Sequence, residues 1–356
     1  MSKKKVVVIF GGFSPEYEVS LNSAYSVINA IDINKYDVML IGITNKGKWY
    51  RYSGSVEDIP NNKWHENKQY LDDAFISPNR GDGIIVFENK NAFTISVDII
   101  FPVLHGRYGE DGTIQGLCEL AGIPVVGSGS AASALCMDKT RSHRLVSLAG
   151  ISVPKSVNFD YIPTEENLLA AVRELKLPVF VKPVKAGSSI GVSKLDNYSD
   201  IPKAVKEAFI YDDAVIIEEN IDGKEVGCSV IGNRELLTGR INEIEVSQGF
   251  FDYNEKYTLK TSKIHTPARI DEKSESRLQE AGKKIFRVLG CKGYARIDLF
   301  LKTDGEIVFS EANTIPGFTV HSQLPRMMSA AGMDYPQLVD KLIELGLQIE
   351  RGEWYG

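Results

Sequence analysis

The chain has 356 residues, 43% of them hydrophobic and 25% charged, the make-up of a soluble globular protein with room for two or three packed units. Its net charge of −6, from 41 basic and 47 acidic residues, disfavours a broad nucleic-acid footprint, which needs a basic surface. No apolar run approaches the roughly 18 residues of a membrane span, and Cys118, Cys136, Cys228 and Cys291 lie too far apart for a metal pair, so each reads as a small packed hydrophobe.

Met1-Ser2-Lys3-Lys4-Lys5 has a basic flavour, but Val6 to Phe10 is too short for a secretory core and runs straight into Gly11-Gly12. It reads as a buried first strand, and the chain as a cytoplasmic protein. A helical pattern follows from about Glu18 to Ile31, then buried strands at Val38–Ile43 and Val97–Val103. The stretch between them, 44–94, reads as strand and loop excursions. Asp111 to Ala121 is predicted helical and Ile123 to Val126 a short strand, completing an open, mostly parallel α/β unit over 1–126.

A second unit is expected over 127–219 and a third over 220–356. In the second, Lys139–Ala149 is a helix stopped by Gly150, Val153–Phe159 is extended, and Thr164 caps a helix ending before Pro178. A strand at Val179–Val184 leads into Lys185-Ala186-Gly187-Ser188-Ser189-Ile190-Gly191; a helix at Ser199–Phe209 and a strand at Ala214–Glu219 follow. The third unit has several strands, a long loop from Ser247 to Ser262, and an amphipathic helix over Asp271–Leu289 with Leu278, Ala281, Ile285 and Val288 at helical spacing. A hairpin and a closing helix from Tyr335 to Ile349 end it.

That hairpin is the most informative feature. Ala295–Leu301 and Glu306–Asn313 are strand-like and flank Asp304-Gly305, a strong hairpin signal. A two-residue turn there sets Thr303 opposite Glu306, Asp298 opposite Glu311 and Arg296 opposite Asn313, all on one face. Opposed carboxylates repel; a hard cation with oxygen ligands, such as magnesium bridging to phosphates, removes the conflict. A solvated polar face is the plainer alternative.

The loops add phosphate and amino-acid chemistry. The Gly187-Ser188-Ser189-Ile190-Gly191 loop, with Lys182 upstream and a second lysine in Met137-Asp138-Lys139, suits anionic oxygens, although it is neither a Walker loop nor a dinucleotide fingerprint. The strand ending Glu218-Glu219-Asn220-Ile221 can read an adenine edge through its backbone, and Glu225 can hold a ribose, although glutamates at a strand end are usually just solvated. Gly11-Gly12-Phe13-Ser14-Pro15-Glu16-Tyr17-Glu18-Val19-Ser20 lies at the carboxyl end of the first strand, where open α/β sheets place ligands. One glutamate there can face a substrate ammonium; a simple acid at a helix start is the alternative. Leu104-His105-Gly106 forms a second such loop.

In this order the segments resemble the D-alanine–D-alanine ligase family of ATP-grasp enzymes, over nearly the whole chain. The matching stretches are Gly-Gly-x-Ser-x-Glu-x-Glu-Val-Ser at 11–20, Leu104-His105-Gly106, Gly109 to Gly116, Met137-Asp138-Lys139, Val181-Lys182-Pro183, Gly187-Ser188-Ser189, Glu255-Lys256-Tyr257, Arg296-Ile297-Asp298, and Glu311-Ala312-Asn313-Thr314-x-Pro316-Gly317. Within the family the chain looks most like the vancomycin-resistance D-alanine–D-serine ligases of the VanG type. The resemblance implies an ATP-grasp fold, in which an N-terminal open Rossmann-like domain precedes two α+β subdomains that clamp ATP.

It also implies a reaction. ATP phosphorylates a first D-alanine, and the amine of a second D-amino acid displaces phosphate. Lys139 and Lys182 would hold ATP phosphates, Glu218, Glu219 and Ile221 the adenine, and Glu225 the ribose. Asp298, Glu311 and Asn313 would hold two magnesium ions, for which manganese can substitute. Arg296 and the Gly317 N–H would stabilise the oxyanion. Glu16, with His105 nearby, would anchor the first ammonium, and Ser188 and Tyr257 would join Glu16 in orienting substrates. Lys256 would sit on a closing loop with Tyr257, and Ser322 would hold the second carboxylate. Tyr257 argues against a D-lactate ligase. Gln323 stands where D-alanine enzymes place leucine and D-serine enzymes arginine; its polarity favours D-serine, with a housekeeping D-alanine–D-alanine ligase as the alternative. The resemblance further implies a homodimer, while the acidic net charge and the short apolar runs predict neither nucleic acid nor membrane as a partner. A different ATP-grasp ligase, a non-catalytic nucleotide binder and a dinucleotide oxidoreductase fit less well: the first would not need Glu16, Ser188 and Tyr257 together, the second would not need Asp298, Glu311 and Arg296, and the third lacks a glycine fingerprint after Phe10.

Overall fold

The computed structural model describes residues 3–89, 91–187, 189–246 and 262–348. Three expected site residues, Ser188, Lys256 and Tyr257, lie outside them, as does the loop expected from Ser247 to Ser262 apart from Ser262 itself.

The first unit runs β1 (Lys4–Gly11), α1 (Tyr17–Ala30), β2 (Tyr36–Ile43), β3 (Trp49–Tyr52), β4 (Leu71–Ile76), β5 (Ile84–Glu88), β6 (Asn91–Ile95), β7 (Ile99–Val103) and α2 (Thr113–Ala121). Its strands form one sheet in the order β6-β5-β4-β3-β2-β1-β7. β1 lies between β2 and the edge strand β7 and is parallel to both, and Val6 to Phe10 are covered on both faces and fully buried. The excursion over 44–94 becomes an antiparallel extension of the same sheet, β3 to β6. The strand expected at Ile123–Val126 is only a single bridge from Val125 to Ile100, because Gly127 turns away at φ +116°.

The chain continues through α3 (Ser130–Met137), α4 (Lys139–Leu148), β8 (Ser156–Phe159), α5 (Glu165–Val172), β9 (Val179–Pro183), β10 (Ser193–Leu195), α6 (Ile201–Ala208) and β11 (Val215–Glu219). Asp138 caps α4 by accepting from the Arg141 N–H, and Thr164 caps α5 by accepting from that of Asn167. An antiparallel sheet, β10-β9-β11-β8, packs Val179, Val181, Val215 and Ile217 against Leu168, Val172 and Val205 from α5 and α6.

The last stretch holds β12 (Lys224–Gly232), β13 (Leu236–Thr238), β14 (Asn242–Val246), β15 (Ser262–His265), α7 (Glu272–Val288), β16 (Gly293–Leu301), β17 (Ile307–Asn313), α8 (Gln323–Ala330) and α9 (Tyr335–Gln348). Its antiparallel sheet runs β15-β14-β12-β16-β17, with β13 beside β12. Leu278, Ile285 and Phe286 of α7 pack on Val226, Cys228, Ile297 and Phe309. Cys136 of α3 and Val146 of α4 belong to this same core, although they precede the four-stranded sheet. Helix α9 returns to the first unit, where Leu338, Val339, Leu342 and Ile343 join Val6, Val8 and Phe101.

The β16–β17 hairpin departs from expectation at its turn. Lys302 donates its N–H to the Glu306 carbonyl and accepts from the Gly305 N–H, so the loop has three residues, with Gly305 at φ +82°. The pairing of Thr303 with Glu306 is therefore wrong, and Leu301 faces Ile307. The register then shifts between Asp298 and Leu299: Leu299 faces Phe309, but Asp298 faces Glu311 and Arg296 faces Asn313. Ser310 is the extra residue of a β-bulge. The two offsets cancel, and the expected functional pairs stand.

Candidate active site

A cleft of about 360 Å³ opens between the four-stranded sheet and the last sheet. Lys139, Lys182, Glu218, Glu219, Ile221 and Glu225 all line it, together with Glu311. Lys182 and Glu218 lie on adjacent strands β9 and β11, with Nζ 2.5 Å from Oε2. Burial works against the Lys182 ammonium, yet Glu218 beside it, helped by Glu311 and Glu225, raises its pKa above the ordinary lysine value. Burial also works against the Glu218 carboxylate; Lys182 and then His143 overrule it and hold that group below its ordinary value. Lys139 begins α4, donates to the Ala186 carbonyl at 3.1 Å, and lies 3.5 Å from Glu311 Oε2. Charge is thus alternated along the cleft, with two ammonium groups positioned for anionic oxygens.

At one end stands the hairpin face. Arg296 Nε and Nη2 each donate to Asp298 at 2.7 Å, a bidentate pair within one strand. Asn313 Nδ2 adds a bond to Asp298 Oδ2 at 3.0 Å. Burial opposes the Arg296 charge, but Asp298, then Glu311 and Glu110, hold it firmly protonated. Two carboxylates and an amide are hard oxygen donors on one face. Among the described residues no three His, Cys, Asp or Glu side chains converge as a metal cage. A donor set of this size fits magnesium, which takes one or two carboxylates and completes its shell with phosphate and water.

A second cavity, about 400 Å³, is bordered by Glu16, Gly106, Lys185 and Gly187. Glu16 Oε2 lies 2.4 Å from where a Cβ on Gly106 would stand and 3.3 Å from one on Gly187, so both glycines admit the carboxylate. His105 is buried behind it. Its Nδ1 faces the Ile315 carbonyl at 2.9 Å and its Nε2 the Ser23 hydroxyl at 3.0 Å. The carbonyl requires Nδ1 to donate. Both ring nitrogens are therefore taken by the protein, and His105 positions the loop after β17 instead of offering a nitrogen to a ligand. Burial raises the Glu110 carboxyl nearby, with Glu16 adding to it; Glu110 in turn raises His105 against its burial.

The loop after β17 is pinned further by Phe318, whose N–H donates to Ser23 Oγ at 3.2 Å and whose carbonyl accepts from the Tyr335 hydroxyl. Gly317 lies inside this loop, and a Cβ there would stand 3.4 Å from Ser322 Oγ. Ser322 precedes the first turn of α8 and accepts from the Thr319 N–H at 3.0 Å. Gln323, the first residue of α8, has a fixed polarity. The Gly227 N–H donates to Asn242 Oδ1 at 2.7 Å, so Asn242 must turn Nδ2 outward, and that atom donates to Gln323 Oε1 at 2.9 Å. Gln323 Nε2 is left as the outward donor, and it donates to no described residue. Gly227 lies directly opposite Asp298, so this amide sits at the edge of the hairpin face.

The cleft gathers Lys139, Lys182, Glu218, Glu219, Ile221, Glu225 and Glu311, the hairpin face joins Arg296, Asp298 and Asn313, and Glu16 borders the second cavity, which meets the cleft at Ala186; Ser188, Lys256 and Tyr257 lie outside the described residues. Three contributors were missed in the sequence. Asn242 is a fully buried polar residue on an alternating strand, Ser23 a buried hydroxyl on the apolar face of α1, and His143 lies one turn after Lys139 on the same side of α4. The last two were open to detection from helical spacing; Asn242 required the strand order.

Residues 5–128 match the family described as D-ala D-ala ligase N-terminus, and residues 145–344 the one described as D-ala D-ala ligase C-terminus. The crystal structure of the VanG D-Ala:D-Ser ligase from Enterococcus faecalis is similar at 53% identity and a TM-score of 0.90, covering 97% of this chain and 99% of that one. The D-alanine–D-alanine ligase of Caldicellulosiruptor bescii is 41% identical over 99% of this chain and 97% of its own. The vancomycin C-type resistance protein VanC2 of Enterococcus casseliflavus is 42% identical over 96% of this chain and 98% of its own.

Proposed function

The chain belongs to the D-alanine–D-alanine ligase family, and from that premise we propose that it joins D-alanine to D-serine, at the expense of ATP, for peptidoglycan precursors of reduced vancomycin affinity. Members are ATP-dependent ligases that use magnesium. The finer assignment rests on Gln323: its carbonyl is tied to Asn242, so its Nε2 is the group available to a hydroxyl at the second subsite. The similarity to a D-Ala:D-Ser ligase at 53% identity points the same way.

In this reading Lys139 and Lys182 hold the ATP phosphates, the Glu218–Ile221 segment takes the adenine, and Glu225 the ribose. Asp298, Glu311 and Asn313 hold two magnesium or manganese ions, which when bound neutralise phosphate charge. Glu16 receives the first D-alanine ammonium, and Ser188 and Tyr257 complete that group. A carboxylate oxygen of the first D-alanine takes the γ-phosphoryl group and ADP leaves. The second amine then attacks the acyl carbon and loses a proton, phosphate departs, and the amide bond is made. Arg296, fixed by Asp298, and the Gly317 N–H face the oxyanion of that step. Ser322, at the start of α8, receives the second carboxylate, where the helix N-terminus favours negative charge. Lys256 and Tyr257, which lie outside the described residues, keep water from the acyl phosphate in this reading. We place this ligase in the cytoplasm as a homodimer; no described helix is long and apolar enough to cross a membrane.

The test is phosphate release with ATP, magnesium and D-alanine, with and without D-serine, resolving the dipeptides. D-alanyl-D-serine in large excess is expected. Equal or better efficiency with D-alanine alone would make the protein a housekeeping ligase, a reading favoured by relatives such as that of Caldicellulosiruptor bescii.

A further inference from the structure

We infer that His143 is a positioning residue that sets the metal-facing register of the hairpin, by holding the bulge at Ser310 from outside the sheet. The inference rests on the reading of Asp298, Glu311 and Asn313 as magnesium ligands.

From the turn as far as Leu299 and Phe309 the ladder is regular. Continued without a shift, it would set Ser310 opposite Asp298, Glu311 opposite Ile297 and Ala312 opposite Arg296. Ile297 is fully buried in the apolar core under α7, so that register would drive the Glu311 carboxylate into the core. The bulge prevents this. Phe309 and Ala312 both point into that core, three residues apart, and Ser310 and Glu311 are both left half-buried between them.

A bulge leaves backbone groups off the ladder, and buried groups of that kind need partners. The Ser310 carbonyl accepts from His143 Nε2 at 2.7 Å. His143 is 4% exposed, and its ring meets Phe309 edge-on at 5.6 Å. Its Nδ1 lies 3.5 Å from Glu218 Oε1, the carboxylate whose other oxygen holds Lys182. One turn earlier on α4, Lys139 reaches Glu311 Oε2 at 3.5 Å. A single helix thus grips the main chain of the bulge and the side chain of the residue after it. The same imidazole lies beside Glu218, the partner of the phosphate-facing Lys182, but its Nδ1 makes no hydrogen bond there, so its grip is the one on the Ser310 carbonyl. Glu218, held as a carboxylate by Lys182, has no donor for the Ser310 carbonyl, and Lys139 directs its ammonium to the Ala186 carbonyl.

The test uses the whole protein with ADP. Manganese binding is followed by electron paramagnetic resonance, and amide exchange over β17 by mass spectrometry. His143→Ala should weaken manganese binding about 10- to 100-fold, the usual range when a ligand's support is removed, and speed exchange over 309–313. His143→Gln, which keeps a donor for the carbonyl, should stay within about threefold of the parent by the same measure. Parental manganese binding in His143→Ala, or equal damage in both variants, overturns the inference. Glu311→Gln separates the two layers: if it binds manganese normally, the ligand reading itself fails. If it binds poorly while His143→Ala binds well, only the clamp fails. Should His143→Ala not fold, deletion of Ser310 carries the test. Deletion makes the ladder regular with Glu311 already opposite Asp298, so adding His143→Ala to it should cost no manganese affinity. A further loss there overturns the clamp.

Discussion

Gln323→Leu removes a polar side chain at the proposed second subsite whose orientation is fixed, through Asn242, by the Gly227 backbone N–H. Two effects are expected, and they separate. First, Asn242 is fully buried and loses the acceptor of its Nδ2. An orphaned buried donor costs about 1–3 kcal/mol. Gln323 itself is only half-buried and water can reach its place, so about 1 kcal/mol is expected, read as a lower denaturant midpoint. Second, the subsite becomes apolar. A hydroxyl that met Nε2 would then have no partner, while a methyl would lose nothing. At 1.4 kcal/mol per tenfold, a penalty of about 1.5–3 kcal/mol lowers the D-serine to D-alanine ratio in kcat/KM by about 10- to 100-fold. The assay is initial-rate phosphate release with each second substrate, with dipeptides resolved by mass spectrometry. A ratio unchanged within twofold, in a protein that has lost the expected stability, would refute the placement of Gln323. The stability loss alone shows only that the Asn242 bond is real.

Glu311→Ala should abolish turnover, since it removes one of two carboxylates on the hairpin face; near-normal magnesium-dependent phosphate release would sink the assignment. Ser23→Ala leaves the Phe318 N–H and one His105 nitrogen without their shared hydroxyl. Denaturation should show a loss of about 1–3 kcal/mol, and kcat should fall more than the KM for ATP, because Gly317 lies in the loop and the nucleotide cleft does not. Glu243 pairs with Arg269 and Lys224; burial opposes its charge, but these partners lower its pKa to about 2. The folded state therefore binds fewer protons than the unfolded one below the ordinary glutamate value of 4.5. The pair's contribution is complete above that value and fades as pH falls toward about 2. Glu243→Gln should flatten the pH dependence of stability in that window, and an unchanged acid limb in urea titrations would count against it.

Most elements were legible because their patterns are local. Val6 to Phe10 announces a covered strand by having no polar residue, and Thr164 announces a cap by its chemistry. Two helices were not legible. Ser130–Met137 is mostly small residues with no apolar stripe, and it owes its place to Cys136 packing in a core built much later in the chain. Gln323–Ala330 starts at residues read for chemistry, and the Leu324, Met327 and Met328 side that buries it was hidden by that reading. Which core Val146 joins was equally unreadable, since only the three-dimensional return of β17 beside α4 decides it.

The candidate site shows a different kind of limit. The facing of Asp298 with Glu311 was reached from a two-residue turn that the chain does not make. Asp304-Gly305 fits either a two-residue loop or the last part of a three-residue one, and the difference is one position of register. Such a slip should have put every side chain of β17 on the wrong face. It does not, because alternation on β17 is itself broken: Phe309 and Ala312 are both apolar and both inward, with two polar residues between them. That spacing was in the sequence. A strand in which apolar residues fall three apart cannot keep a regular ladder and a single buried face, so it announces a bulge and, with it, a correction of one residue. Read together, the ambiguous turn and the broken alternation admit only one solution that keeps Glu311 out of the core, and it places Glu311 opposite Asp298.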